Sequence, residues 1–260
     1  MNIYMTFSDY INNPSHDSTR PMIVGQKELA KQVYTDKYNK MMLRSAGGVK
    51  YELFKNPNDD KRFTIFFKMP SESTDKLFYD VVIDFHTKDT VVEQSNSLKN
   101  YFIRVYSNDP NFVFTFAYVF NKNKLLIPEL VSKLGKDVTS VKPKTTNPHK
   151  NMGYVKDLYF AYLFMQDHGL FNKVVWANAT KSNTFFHNRL NQVVTFEKKF
   201  AEVQKSKEEE KQSKKPKIRT VNDPSDMYKQ RSRVGNVKTV KTVSRVKNNT
   251  SSVRYVRKIK

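Results

Sequence analysis

The stretch Leu77-Phe-Tyr-Asp-Val-Val-Ile-Asp-Phe85 decides how this chain is read. Nine residues rich in aromatic and β-branched side chains, with no Gly or Pro, predict a strand. With a period of two, Leu77, Tyr79, Val81, Ile83 and Phe85 share one face, and Phe78, Asp80, Val82 and Asp84 the other. The first face is expected to be buried. The two aspartates predict that the second is partly wet.

Similar segments flank it. Val49–Phe54 and Arg62–Met69 read as strands around the turn Asn56-Pro57-Asn58-Asp59-Asp60, and Tyr101–Tyr106 as another before Ser107-Asn108-Asp109-Pro110. Asn111–Phe120 suits either a doubly buried strand or a short buried helix. Upstream, Gln26–Ser45 carries a helical stripe (Leu29, Val33, Tyr34, Lys37, Met41, Met42) that ends at Gly47-Gly48. Downstream, helices are expected over Leu125–Leu134, closed by Gly135, over Tyr154–His168, closed by Gly169, and from Asn183 through Phe196 to about Lys205, continuing as a charged, solvated extension that ends at Pro216.

A helix, then strands, then helices argues for an α+β fold around a mostly antiparallel sheet, not for alternating βαβ units. Residues 1–25 read as an irregular N-terminal arm docked by Tyr4, Phe7 and Tyr10, residues 26–204 as the α+β body, and residues 205–260 as a charged linker and a basic C-terminal tail, extended or disordered.

The 260 residues hold 19 Phe and 14 Tyr, nearly all before residue 200, so the body can bury a core and the tail cannot. The absence of cysteine excludes thiolate chemistry, disulfides and Cys-ligated zinc. No secretory signal pattern and no apolar run of membrane-spanning length is present, so the expectation is a soluble intracellular protein or part of an assembly, without a membrane partner.

Metal-dependent nucleases place carboxylates on a central strand with a lysine close by. Asp80 and Asp84, with His86, Lys88 and Glu93 nearby, raise that possibility, although the spacing fits no metal-site pattern and a solvated strand face explains them as well. The histidines His16, His86, His149, His168 and His187 lack the spacing that sets two ligands on one helix face. With seven glycines there is little material for a phosphate loop, and neither a cofactor nor a metal is expected. The loop Lys136–Lys150, with Lys136, Lys142, Lys144, His149 and Lys150, reads as a polar connector able to touch phosphates. The aromatic run Asn111–Tyr118 reads as core, because a stacking platform needs exposed rings between cations.

The charge lies elsewhere. Lys211–Lys260 holds sixteen Lys or Arg and two acids, a net +14 of the chain's +21. The expected contacts to nucleic acid or a partner are Lys214, Lys215, Lys217, Arg219, Arg231, Arg233, Lys238, Lys241, Arg245, Lys247, Arg254, Arg257, Lys258 and Lys260. A triplet repeat runs through them at Val234, Val237, Val240, Val243 and Val246, and resumes at Val253, Val256 and Ile259. Three residues per turn is the period of polyproline II, which would align the valines as one docking stripe. A simple duplication of a Lys-Thr-Val unit explains the pattern equally well. Such charge makes a strong phosphate ligand even without structure.

Tyr101–Phe120 (YFIRVYSNDPNFVFTFAYVF), Asn147-Pro148 and the aromatic helix around Tyr154–Leu163 resemble proteins of unassigned role in AT-rich tailed bacteriophages. The resemblance spans roughly residues 75–175 and carries no catalytic residue. It implies a virion component. The expected function is thus a non-enzymatic structural protein of a neck, connector or capsid, a homo-oligomer whose basic arm docks on a neighbouring subunit or on packaged DNA. A free nucleic-acid-binding regulator or replication accessory is the alternative, and a metal-dependent nuclease the third reading.

Overall fold

The computed structural model describes residues 5–12, 24–44, 48–74, 76–88, 90–143, 147 and 152–213. Its elements are α1 (Phe7–Asn12), α2 (Val24–Arg44), β1 (Lys50–Lys55), β2 (Arg62–Pro70), β3 (Phe78–His86), α3 (Thr90–Gln94), β4 (Phe102–Ser107), α4 (Pro110–Thr115), α5 (Ala117–Lys122), α6 (Lys136–Ser140), α7 (Lys156–Asp167), α8 (Asn183–Gln192) and α9 (Phe196–Ser213), with short 3₁₀ turns at Leu98–Asn100, Pro128–Leu134 and Lys173–Asn178. The class is α+β, built on a four-stranded antiparallel sheet in the order β1-β2-β3-β4.

Each strand of this meander hydrogen-bonds to the next, so register alone sorts the side chains. One face carries Ile65 and Phe67 of β2 with Val81, Ile83 and Phe85 of β3, all buried. It packs under α1 and α7: Phe7 lies 6.0 Å from Phe85 and Phe164 lies 6.0 Å from Phe67, ring centre to ring centre. Trp176 closes the same layer against Phe63 and Phe85. Outside α7 runs α2, where Tyr38 packs on Phe160 and its hydroxyl donates to Asp167 at 3.1 Å.

The opposite face is covered as well, which corrects the expectation of a wet surface. Phe186 of α8 stacks on Phe54 at 4.2 Å and meets Phe66 edge-on, and Asp80 and Asp84 lie buried beneath this layer. The sheet edges are also occupied. Thr180 bonds to Leu53 and Lys55 of β1, while Met5 and Leu125 bond to β4. Edge coverage of this kind blocks pairing with a second sheet.

Three further expectations change. Residues 7–12 are helical and not irregular: α1 buries Phe7 and Tyr10, both expected to dock, together with Ile11, because its apolar side fits the aromatic layer above β3, while Tyr4 lies outside the described residues. Leu125–Leu134 is not one helix. Leu126 pairs with Val105 as a short sheet extension, and only after Pro128 does a 3₁₀ turn form. The single helix expected from Asn183 is two helices broken at residues 193–195; the second runs on to Ser213, in keeping with the expected solvated extension past Lys205. Asn111–Phe120 resolves as the helical alternative, α4 followed by α5. Asp109 caps α4 by accepting the Asn111 N–H at 2.6 Å, and Pro110 occupies its first turn.

Candidate anion-binding pocket on the sheet

Asp84, fully buried on β3, accepts both 2.9 and 3.0 Å contacts from Arg62 Nε and a 2.8 Å bond from the Thr64 hydroxyl. Register explains the contact, since Thr64 is the direct cross-strand partner of Asp84, and Arg62 sits two residues away on the same face. Arg62 also reaches Glu129 at 3.1 Å, tying the 3₁₀ turn of residues 128–134 to the sheet. Burial pushes the Asp84 carboxyl upward, against the pull of Arg62 and Thr64.

Asp80 is buried too, and pairs with Lys68 directly across the ladder. Its Oδ2 accepts 3.2 Å from Asn108 Nδ2 and 2.9 Å from the Val194 backbone N–H. Asn108 returns a second bond to the Val194 carbonyl, as does the Tyr106 hydroxyl at 3.0 Å. These bonds satisfy the backbone exposed where the helix breaks, and so fix α8 and α9 to the sheet. The two aspartates therefore do not open onto solvent or converge on one point. Among the described residues no group of three His, Asp or Glu side chains is arranged to hold a metal.

The histidines divide likewise. The His168 ring stacks on Phe164 at 3.9 Å and bonds the Phe164 carbonyl, at the end of α7. His86 ends the polar row of β3, with its buried Nδ1 unpartnered among the described residues. Burial, with Arg104 and Arg62 nearby, holds its pKa down to about 4. His16 and His149 lie outside the described residues.

A second buried polar cluster escaped sequence reasoning. Asp109 and Asp157 lie together where β4 meets α7, with Ser107 donating to Asp157 at 3.2 Å and Lys156 Nζ 3.4 Å from Asp109. Burial, and then the neighbouring Asp109 carboxylate, push the Asp157 carboxyl well above its ordinary range.

Where the polar row of the sheet runs out toward β1, cations gather. A cavity of about 450 Å³ opens there, whose lining includes Lys50, Lys68, Lys76, Arg189, Lys199 and Phe78 as well as the carboxylates Glu52 and Glu202. Lys50 and Lys68 are direct cross-strand partners, two like charges on one face. Arg189 is held at 2.8 Å by Glu52 and lies over the Phe66 ring, and Lys199, nearly buried, pairs with Glu202. Lys50 and Lys76 have no ion-pair partner among the described residues. Lys76 itself is held at φ 62° in the turn before β3, the left-handed region that a side chain seldom adopts.

The cationic and valine residues singled out in the sequence, from Lys214 to Lys260, lie outside the described residues, as do Lys144, His149 and Lys150. Lys142 is exposed, and Lys136 opens α6 within what reads as a loop. Asn111–Tyr118 contributes Phe112, Val113 and Ala117 to the core. The five pocket cations, Arg189 among them, were missed because they come from five separate elements or turns. The one legible signal was the even spacing of Arg62 and Lys68 against Asp84 and Asp80 on the next strand.

No family model, no curated protein and no solved structure matches the chain.

Proposed function

We propose that this chain is a non-enzymatic structural protein of a virion, in which a folded α+β body is built into an oligomer and the basic C-terminal segment meets packaged nucleic acid or a neighbouring subunit. The observation that carries this reading is the segregation of charge: sixteen cations against two acids from Lys211 onward, just where α9 ends at Ser213. Among the described residues the buried hydrophobic clusters run from Met5 to Val203. A cationic segment releases counterions from nucleic acid in proportion to the phosphates it neutralises, which gives affinity without sequence preference. No helix among the described residues is long and apolar enough to cross a membrane.

The test compares the full chain with a form ending at Ser213. Assembly and binding to bare duplex DNA are measured across a salt series. The expected result is a folded truncated body that has lost self-assembly, DNA binding or both, and a steep salt slope for the full chain's DNA binding. If the truncated form assembles and binds as before, the reading fails. A full chain that stays monomeric while binding DNA tightly would point instead to a free nucleic-acid-binding regulator.

A further inference from the structure

The cavity beside β1 is cationic in a way that the fold does not require. Asp80 and Asp84 need Lys68 and Arg62, and Glu52 and Glu202 occupy Arg189 and Lys199. That leaves Lys50 and Lys76 as uncompensated charges at the mouth of the same space. Lys50 stands directly opposite Lys68, and like charges so placed in a sheet repel. Lys76 is displayed from a backbone conformation that is itself unfavourable for a side chain. Strain and repulsion that converge on one cavity mark a place where a ligand supplies the missing charge.

We propose that this cavity binds a phosphorylated ligand of nucleotide size. A phosphate monoester carries close to two negative charges near neutrality, which matches the two unpaired lysines. Lys50 and Lys76 hold the phosphate, with the Gln192 amide on the cavity wall as a further hydrogen-bonding group. Phe78 shares the sheet face of Lys68 and Asp80 and is only partly buried, so its ring offers a flat apolar surface for a base between cations. The volume, about 450 Å³, is that of a small-ligand site. The proposal concerns the folded body and stands apart from the role of the C-terminal segment. Its phosphate has two sources, a free nucleotide or the phosphorylated end of a nucleic-acid strand.

The experiment is calorimetric titration of the full chain at physiological salt with AMP, adenosine, inorganic phosphate and a 5′-phosphorylated oligothymidylate. AMP is expected to bind at one site per chain, more tightly than phosphate, with adenosine giving no measurable heat. Replacing Lys50→Gln and Lys76→Gln together should weaken AMP binding by about tenfold or more, with circular dichroism unchanged and melting no lower than the parent's. Replacing Lys238, Lys241, Arg245 and Lys247 by Gln should leave AMP binding intact. A phosphorylated oligonucleotide that displaces AMP at lower concentration identifies a strand end as the ligand, and failure to displace it identifies the free nucleotide. The proposal is overturned if AMP does not bind, if adenosine binds equally well, or if the lysine pair variant binds AMP as the parent does. Loss of AMP binding in the C-terminal variant alone would also overturn it, while leaving the reading of that segment in place.

Discussion

The two faces of one sheet are both buried, yet by opposite means. Under α1 and α7 the sheet presents Ile65, Phe67, Val81, Ile83 and Phe85, and the layer closes by apolar packing, aromatic and aliphatic together. Under α8 and α9 it presents Arg62, Thr64, Lys68, Asp80 and Asp84 beside Phe54 and Phe66, and there aromatic packing on Phe186 is joined by partners for each buried carboxylate. The first face gains from removing apolar surface from water. The second has to offset the desolvation of its charges with paired bonds, and gains orientation more than stability. That orientation places α8 and α9 at the cationic cavity.

The sharpest way to break this contrast is to damage each face once. Phe85→Ala leaves a hole in the apolar layer and should cost about 3–5 kcal/mol. Asp84→Ala strands Arg62 and Thr64 and should cost a similar amount, about 3–5 kcal/mol, toward the lower end because Glu129 still holds Arg62. Urea unfolding measures both. The mechanisms separate on a second change: Arg62→Met should recover much of the loss in an Asp84→Leu background, and nothing in a Phe85→Ala background. If Asp84→Leu with Arg62→Met is as unstable as the sum of its parts, the charged row is not a self-contained pairing.

The faces should also differ in their response to acid. His86 sits in the polar row, and its pKa of about 4 lies below the ordinary histidine value of 6.5. Above about 6.5 both folded and unfolded forms are neutral there. As the pH falls from 6.5 toward 4 the unfolded chain takes a proton that the folded chain refuses, so stability falls by at most about 3 kcal/mol and then levels off. The raised carboxyl of Asp157 works in the other direction, since the folded form holds its proton while the unfolded form has lost it. The readout is therefore the difference between His86→Gln and the parent, measured from pH 7.5 to 4. The variant should gain on the parent as the pH falls below 6.5. A constant difference would mean that His86 titrates alike in the folded and unfolded chain, and that burial does not hold its pKa down.

Much of the fold was legible from local pattern. The four strands, α2 and α7 follow from periodicity, turn residues and terminal glycines within one or two residues. What failed was whatever depends on partners far away in the chain. Asp80 and Asp84 look solvated until Lys68 and Arg62 are set across the ladder, and the break at Val194 exists because a carboxylate on β3 accepts its N–H. Asp109-Pro110 was a helix start in plain view: Asp accepts the early backbone N–H groups and Pro fits the first turn, yet the pair also reads as an ordinary turn. For the cavity, local pattern contains nothing. Lys50, Lys76 and Lys199 meet only after the meander folds and two helices close over it.

The smallest expected effect is also the one of unusual sign. If the cationic cavity were part of what holds the charged face together, removing a lysine would weaken the protein. Lys50 has no ion-pair partner among the described residues and faces Lys68 across the ladder. Lys50→Gln removes a repulsion and no recorded attraction, so ligand-free protein should become more stable by about 0.2–1 kcal/mol at low salt. The gain should shrink as salt is added, because exposed like charges are screened. Lys68→Gln should do the opposite, since Asp80 then loses its cation while buried. Melting curves of the two variants at low and high ionic strength decide between the views. Opposite signs would place a boundary between Lys68, which serves the fold, and Lys50, which the fold tolerates; two destabilised variants would extend the charged face to the rim of the cavity.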